Sequence, residues 1–168
     1  MKKYGFLLMS VLMAAVPAVA LAFNQGDLTR LLGGDNNMQN ADLSGIGAGE
    51  LTRRDLKSVD FTGADFRNCR LYGYQFDGSK LNAAKFDDAS FKGSHFRLAK
   101  FNGASLRNAD LSNAPCGGSD FSNADLSGAK MAGSPLQTCK FFQAKLKGAD
   151  LSSAMFFRAD LTGADLTN

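Results

Sequence analysis

The chain has 168 residues, 45% of them hydrophobic, a composition that excludes a disordered or collagen-like protein and suits one compact domain. Its formal net charge is +3, and this falls to about +1 without the first 22 residues, so the chain is no polycation for nucleic acid. Gly is frequent (18 residues) and Pro is rare (3 residues), which indicates a turn-rich chain built from small units.

The first 22 residues have the pattern of a cleavable secretory signal. Two lysines at residues 2–3 precede an apolar run over residues 6–16, and the sequence ALA at residues 20–22 matches a small-x-small cleavage site. The apolar run is too short for a transmembrane helix. We therefore predict an exported protein, periplasmic or secreted, whose mature chain starts near Phe23, with cleavage after Ala20 as the alternative. No Cys follows the run, so we predict no membrane anchor after cleavage.

Residues 23–48 predict a short capping helix and an irregular lead-in. Apolar residues at 28, 31 and 32 have helical spacing, Asn24 or Asp27 can cap the start, and glycines follow at 33–34. Such a helix can cover the open end of a repeat domain. Farther on, Leu43 and Leu51 are eight residues apart where five is the rule, so we place the three extra residues at 46–48, in a bulge or loop.

Residues 49–168 repeat every five residues. In steps of five from Leu51 to Leu166 there are 24 centre positions, and all are Leu or Phe except Cys116 and Met131. The residue two before each centre is small, apart from Arg54, Val59 and Tyr74, and the residue between them is mostly polar. A helix has a period of 3.6 and a strand a period of 2, so neither accounts for this spacing. Two inward residues per five require the chain to turn a corner in every unit.

The repeat, as in ADLSG at residues 124–128, resembles the pentapeptide-repeat family, and the match covers residues 49–168 almost continuously. The resemblance implies an all-β fold, a right-handed quadrilateral β-helix in which four units make one square coil. About six coils are then expected. The first of them, which contains Arg54 and Val59 at inward positions, departs most from the family pattern.

A four-sided coil places residues n and n+20 one above the other, and the charges agree with this register. The polar positions tend to alternate in sign from coil to coil, as in Asp120, Lys140 and Asp160. Stacked like charges would repel each other, whereas opposite charges attract. Because a surface ion pair is worth only a few tenths of a kcal/mol, we expect the charge bands to set register rather than to drive folding.

The sequence offers little catalytic chemistry. His95 is the only histidine and is predicted to point outward, which argues against a His-based triad and excludes a multi-His metal site. Cys69, Cys116 and Cys139 fall on inward positions and are interpreted as small buried residues, although Cys116 and Cys139 lie on neighbouring sides and could approach each other. The adjacent acids at residues 87–88 are interpreted as a corner turn. We predict a non-enzymatic protein with no cofactor and no metal.

One outward column loses its charge toward the C-terminus, and the residues around it are the candidate binding site. The alternative is that these exposed apolar residues are ordinary sequence variation without a function. The candidate residues are Pro115, Pro135, Phe142, Met155, Phe157 and Arg158.

The function predicted from these features is an exported binding or scaffold module that presents a rigid rod to an unknown protein partner. No capping helix follows Leu166, so a weak homodimer through the C-terminal coil is also expected. The alternative comes from the resemblance, because some family members mimic DNA and bind type II topoisomerases. Such mimicry needs a coherent negative surface, and the alternating charge bands of this chain do not supply one.

Overall fold

The computed structural model describes residues 23–167. It contains one helix, α1, over Gln25–Leu32, and the strand-like pairing of the described residues consists of isolated parallel bridges. The predicted secretory signal at residues 1–22 lies outside the described residues.

From residue 55 onward each bridge joins residues 20 positions apart, which confirms the predicted stacking of n on n+20. The polar residues of successive units therefore form four columns, which we call sides 1 to 4 of the solenoid. Side 1 contains Asp55, Gln75, His95, Pro115, Pro135 and Met155. Side 2 contains Asp60, Lys80, Lys100, Asp120, Lys140 and Asp160. Side 3 contains Asp65, Lys85, Ser105, Asp125, Lys145 and Asp165. Side 4 contains Arg70, Ser90, Asp110, Lys130 and Asp150.

From Ser58 to Gly163 the chain turns at the end of each unit because the last residue of the unit adopts a left-handed backbone conformation. Gly103 has φ 66° and Asn108 has φ 57° at this corner position. Gly and Asn tolerate positive φ better than other residues, which explains why they are common there. The amide of Ala104 then donates to the carbonyl oxygen of Phe101 at 2.9 Å and closes the turn.

The centre residues form one continuous core along the solenoid axis. The rings of Phe101 and Phe121 stack with centroids 4.6 Å apart, and those of Phe121 and Phe141 stack at 5.1 Å. Ala104 and Ala124 are buried beside them and leave room for the rings. Burial of each Phe or Leu side chain contributes about 1.5–3 kcal/mol, so this column supplies most of the stability.

The main contacts of the aspartates on the sides are hydrogen bonds within the turns that follow them. The carboxylate of Asp120 accepts the amide N–H of Ser122 at 3.1 Å, and that of Asp125 accepts the amide of Ser127 at 3.1 Å. Among residues 23–167, two ion pairs within 4 Å join residues 20 positions apart: Lys80 with Asp60 on side 2 at 3.2 Å, and Arg107 with Asp87 at a corner at 2.8 Å. The bridges stack opposite charges at Asp120, Lys140 and Asp160, as predicted, but they also stack Lys80 on Lys100. The part of stacked charges in setting register stays a prediction.

Parallel stacking already begins at Asn37, before the unbroken five-residue period. Asn37, Asp42 and Gly47 bridge Asp60, Asp65 and Arg70, which are 23 positions later instead of 20. Our placement of the extra residues at 46–48 is wrong for the first two of them, because Ile46 is fully buried and Gly47 is paired. The loop begins at residue 48, where the carbonyl of Gly47 accepts the amides of Glu50 and Leu51.

Helix α1 covers the first coil, as predicted for a capping helix. Asn24 is its N-cap and accepts the amides of Gly26 and Asp27, and Gly33 ends it. Leu28 and Leu31 are buried in the same core cluster as the centre residues.

Side-chain bonds to backbone groups fasten α1 to the coil beneath it. Asp27 accepts the amide of Asp42 at 3.0 Å, and Arg53 donates to the carbonyl of Leu31 at 3.1 Å. A further bond runs from Arg30 to the carbonyl of Asn37 at 2.7 Å.

The predicted inward placement is confirmed for Val59 and wrong for Arg54. Val59 is fully buried, whereas Arg54 is exposed, with its guanidinium 5.1 Å from the centre of the Tyr74 ring. An unpaired guanidinium in the core would cost far more than this exposed stacking position. Tyr74, the other large residue at a small position, is buried and donates its hydroxyl to the carbonyl of Leu51.

Candidate functional site on side 1

The candidate residues of side 1 are stacked on one another at its C-terminal end. Pro135 bridges Met155, and the side-chain Nε2 of Gln137 donates to the sulfur of Met155 at 3.7 Å. Met155 is 49% exposed and Phe157 is 68% exposed. Arg158 places its guanidinium 5.1 Å from the centre of the Phe157 ring. The structure thus gathers these residues at one side and its following corner, with Pro115 one coil earlier.

Phe142 lies apart from this group. It follows the centre residue Phe141 on side 2, so it belongs to the next corner of the coil, and it is 41% exposed. The backbone carbonyl of Phe142 accepts the amide of Asn123. Phe142 is therefore at most a marginal member of a surface centred on Phe157.

The end of side 1 is nearly free of charge. Over three coils this side and its two corners comprise residues 112–118, 132–138 and 152–158, and Arg158 is the only charged residue among them. On the same coils, side 2 has Asp120, Lys140 and Asp160. An uncharged surface that includes exposed Met and Phe side chains is typical of a protein-binding surface.

Two exposed apolar residues were missed by the sequence analysis. Leu98 is 65% exposed and lies at the corner of side 1, where its side chain covers Gly118: a Cβ on Gly118 would be 2.8 Å from it. Tyr72 is 47% exposed at the corner of side 4. The signal that could have found Leu98 is a large apolar residue at a corner position that elsewhere holds mostly Gly, Asn or other small or polar residues.

The three thiols are buried and free, in agreement with their interpretation as small core residues. Burial raises the pKa of Cys69 to about 12 and that of Cys139 to about 11, and raises the pKa of Cys116 well above its usual value. The thiol of Cys139 donates to the carbonyl of Cys116 at 3.0 Å. Thiols held in this way are protonated at neutral pH and are poor nucleophiles.

A shallow depression lies at the corner of side 3. Its charges are paired: Arg107 contacts Asp87 at 2.8 Å, and Asn108 donates to Asp88 at 3.1 Å. Asp88 has φ 59°, so residues 87–88 form the predicted corner. The carboxylates of this depression are thus held by hydrogen bonds from Arg107 and Asn108.

Within residues 23–167, no group of three or more His, Cys, Asp or Glu side chains could hold a metal ion. In that same part of the chain, no helix has the length and apolar character needed to cross a membrane.

Comparison with known proteins matches family models of the repeat and several solved structures of pentapeptide-repeat proteins. A pentapeptide-repeat protein from the Arabidopsis thaliana thylakoid lumen is 34% identical over 56% of this chain and 63% of its own, with a TM-score of 0.45. The chain thus spans less than two thirds of that protein.

Two further solved structures are less similar in sequence. QnrB1, a plasmid-mediated fluoroquinolone resistance protein, is 20% identical over 79% of this chain and 73% of its own, with a TM-score of 0.48. HetL is a pentapeptide-repeat protein from the cyanobacterium Nostoc sp. that is involved in heterocyst differentiation regulation. It is 23% identical over 76% of this chain and 71% of its own, with a TM-score of 0.37. A comparison with curated proteins found no match.

The family assignment rests on family models of the repeat itself. Two models of pentapeptide repeats match, one over residues 86–130 and the other over residues 50–82 and 136–168. Together they cover more than half of the chain. The chain belongs to the pentapeptide-repeat family.

Proposed function

We propose that the protein is a non-enzymatic, exported binding or scaffold protein that uses side 1 of a rigid rod to contact another protein surface. The rod is inferred to be a right-handed quadrilateral β-helix of about six coils. The observation that carries the proposal is the uncharged end of side 1, where Met155 and Phe157 are exposed and Arg158 is the only charge. The paired charges and buried thiols described above support a role without catalysis.

The surface proposed to cover the end of side 1 is a second copy of this chain. Apart from Arg158, two facing copies of this end of side 1 bring no charges together, whereas the charges of side 2 at Asp120, Lys140 and Asp160 require an exact register. Phe157 would lie nearest the centre of the contact, with Pro135 and Phe142 at its margin. Three coils at about 4.8 Å each span about 14 Å, so the contact is small and the dimer is weak.

Light scattering over a concentration series tests this dimer through the C-terminal coil. The wild type is expected to gain mass with concentration, and the double variant Phe157→Asp with Met155→Lys is expected to stay monomeric. The matched control is Asp160→Lys with Thr162→Asp, which changes the equivalent positions of side 2 on the same coil and should dimerise like the wild type. A monomeric wild type at high concentration, or equal dimerisation of the side 1 variant, rejects self-association.

A separate experiment tests whether a different protein, instead of a second copy of this chain, binds to the end of side 1. A partner from the native compartment that binds the wild-type monomer and the side 2 control, but not the side 1 variant, would replace the second copy. If all three proteins retain the same partners, side 1 is not the binding surface.

Export is tested by mass spectrometry of the native protein. Cleavage at the predicted site gives an N-terminus near Phe23. Intact Met1 in the soluble cytoplasmic fraction would contradict export. It would also favour the topoisomerase alternative, although the opposite charges stacked at Asp120, Lys140 and Asp160 disfavour mimicry of DNA.

A further inference from the structure

Side 1 is the only one of the four sides whose ladder of bridges is interrupted within the described residues. From residue 55 onward, sides 2, 3 and 4 have a bridge at every step, and side 1 lacks the bridge from His95 to Pro115 and the bridge from Pro115 to Pro135. The ladder resumes where Pro135 pairs with Met155. Two consecutive steps of one side are thus less tightly joined than the same coils on the other three sides.

The two prolines account for the interruption. At this position in other units, the backbone N–H donates to the coil before it, as His95 does to the carbonyl of Tyr74 at 2.8 Å and Met155 to that of Ser134 at 3.1 Å. Pro115 and Pro135 have no N–H and cannot make this bond. The bonds in the other direction remain: Phe96 donates to the carbonyl of Pro115 at 2.8 Å and Cys116 to that of Pro135 at 2.9 Å. At the corner that follows, Leu98 donates to Gly117 at 3.1 Å and Gly118 to Gln137 at 2.9 Å, so each step loses one backbone bond and keeps two.

A second, independent feature weakens the same part of side 1. Its corner residues on either side of Gly118 are Leu98, with φ 59°, and Thr138, with φ 57°. Left-handed backbone is strained for a bulky or β-branched residue, and Thr138 is the less tolerant of the two. On side 2 the corner residues of the same coils are Gly103, Asn123 and Gln143, which lack a β-branch.

The centre residue between the two prolines is also unusual. Cys116 replaces the Leu or Phe of nearly every other unit, so its coil has a smaller core side chain on side 1. Its thiol lies 3.3 Å from the carbonyl of Ala114, the group that the missing N–H of Pro135 would otherwise meet. A thiol is a weak donor and replaces that bond only in part.

We propose that the steps from His95 to Pro135 form a seam in the solenoid, where coils part locally on side 1 while sides 2, 3 and 4 stay paired. Local opening of this kind is expected where backbone bonds are missing and backbone strain is released. The inference does not depend on self-association or export. The part of the repeats that is expected to open most readily thus lies on side 1, which also carries the candidate binding surface.

Hydrogen exchange of single amides tests the seam directly. The amides of Phe96 and Cys116 on side 1 are compared with those of Phe101 and Phe121 on side 2 of the same coils, which donate to Asp120 and Lys140 at 2.7 Å. The side 1 amides are expected to exchange about fivefold to thirtyfold faster under conditions where the fold is intact. Equal exchange on both sides would mean that each coil opens as a whole, and the seam would be rejected.

The native cysteines provide a second readout. Cys116 lies in the seam, Cys139 on side 2 and Cys69 on side 4, and all three are fully buried. Mass spectrometry after timed reaction with an aromatic disulfide reagent should find Cys116 modified first, about fivefold or more ahead of the other two. Simultaneous modification of all three would indicate global unfolding and contradict local opening.

Two corner variants separate the seam from general instability. Thr138→Asn introduces on side 1 an asparagine, which other units have at this corner position. It should slow both the amide exchange of Cys116 and the modification of the Cys116 thiol by about fivefold. The matched control is Asn123→Thr, which introduces the same strain on side 2 and should speed exchange at Phe121 without favouring Cys116. If Thr138→Asn leaves Cys116 unchanged, corner strain does not open side 1 and the seam as proposed is wrong.

Discussion

The N-terminal end and the repeat body are held together by different means. In the body, residues 51–147, each coil pairs its backbone with the coils above and below and stacks its Phe and Leu side chains on theirs. At the N-terminal end, α1 has no such neighbour, and individual side chains fasten it: Asp27, Arg30 and Arg53 each bond to a backbone group of another segment. A repeat can thus rely on backbone pairing and common apolar residues, whereas an end requires particular polar ones.

The largest expected loss of stability is in the body, for Phe101→Ala. Phe101 is fully buried, stacks on Phe121, and contacts Phe86 and Phe96, so a cavity would form between three coils. We expect a loss of about 3–5 kcal/mol in the free energy of unfolding, measured by urea denaturation. A loss below about 1 kcal/mol would show that the core does not depend on the aromatic stack.

A smaller and more local effect is expected at the end, for Leu31→Ala. Leu31 is fully buried under α1, and its removal should release the helix at a cost of about 2–3 kcal/mol. Hydrogen exchange should then increase in residues 25–43 while the amides of Phe101 and Phe121 keep their protection. Equal loss of protection in the body would mean that the two regions unfold as one unit.

Acid is expected to weaken the junction between the two regions through Asp60. Burial alone would raise the pKa of Asp60, but hydrogen bonds from Thr62, Gln39 and Lys80 outweigh it and lower the pKa to about 2. Because the folded pKa lies below the unfolded value of 3.8, the carboxylate stabilises the fold above that value. This stabilisation is lost as the pH falls toward 2.

The measurement is urea unfolding at pH 5 and at pH 2.5 for the wild type and Asp60→Asn. The asparagine still accepts a hydrogen bond but does not titrate, so its loss between the two pH values should be smaller by on the order of 1 kcal/mol. An identical pH dependence in the two proteins would show that Asp60 does not couple folding to acid.

The smallest effect is expected for the charge bands of the body, in Lys140→Asp. The new carboxylate would stand between Asp120 and Asp160, and the loss should be about 1 kcal/mol or less and should shrink with salt. Lys140→Gln, which removes the charge without reversing it, should lose less. A loss that does not depend on salt, or none at low salt, would contradict a role of stacked charges in setting register.

The sequence by itself determined the body, because its information is local and repeated. Every fifth residue from Leu51 on is large and apolar, with few exceptions, and the charges at n and n+20 tend to be opposite in sign. The register and the inward residues therefore follow from spacing alone. The buried cysteines and Val59 could be placed in the same way. The short helix was predicted from its own capping residues: Asn24, one of the two candidates, is the N-cap, and Gly33 is the C-cap.

Only the tertiary structure decided what depends on contacts between distant residues. The start of stacking at Asn37 follows from pairing with Asp60 and is hidden by the loop after Gly47. The outward turn of Arg54 depends on the ring of Tyr74 one coil later. The interrupted ladder of side 1 requires that Pro115 and Pro135 lie in successive coils of one column, where the lack of two N–H groups removes adjacent bonds. The local sequence pattern specifies the conformation of a single unit. The hydrogen bonds and contacts between units, and the energies that come from them, are defined only when the units are stacked.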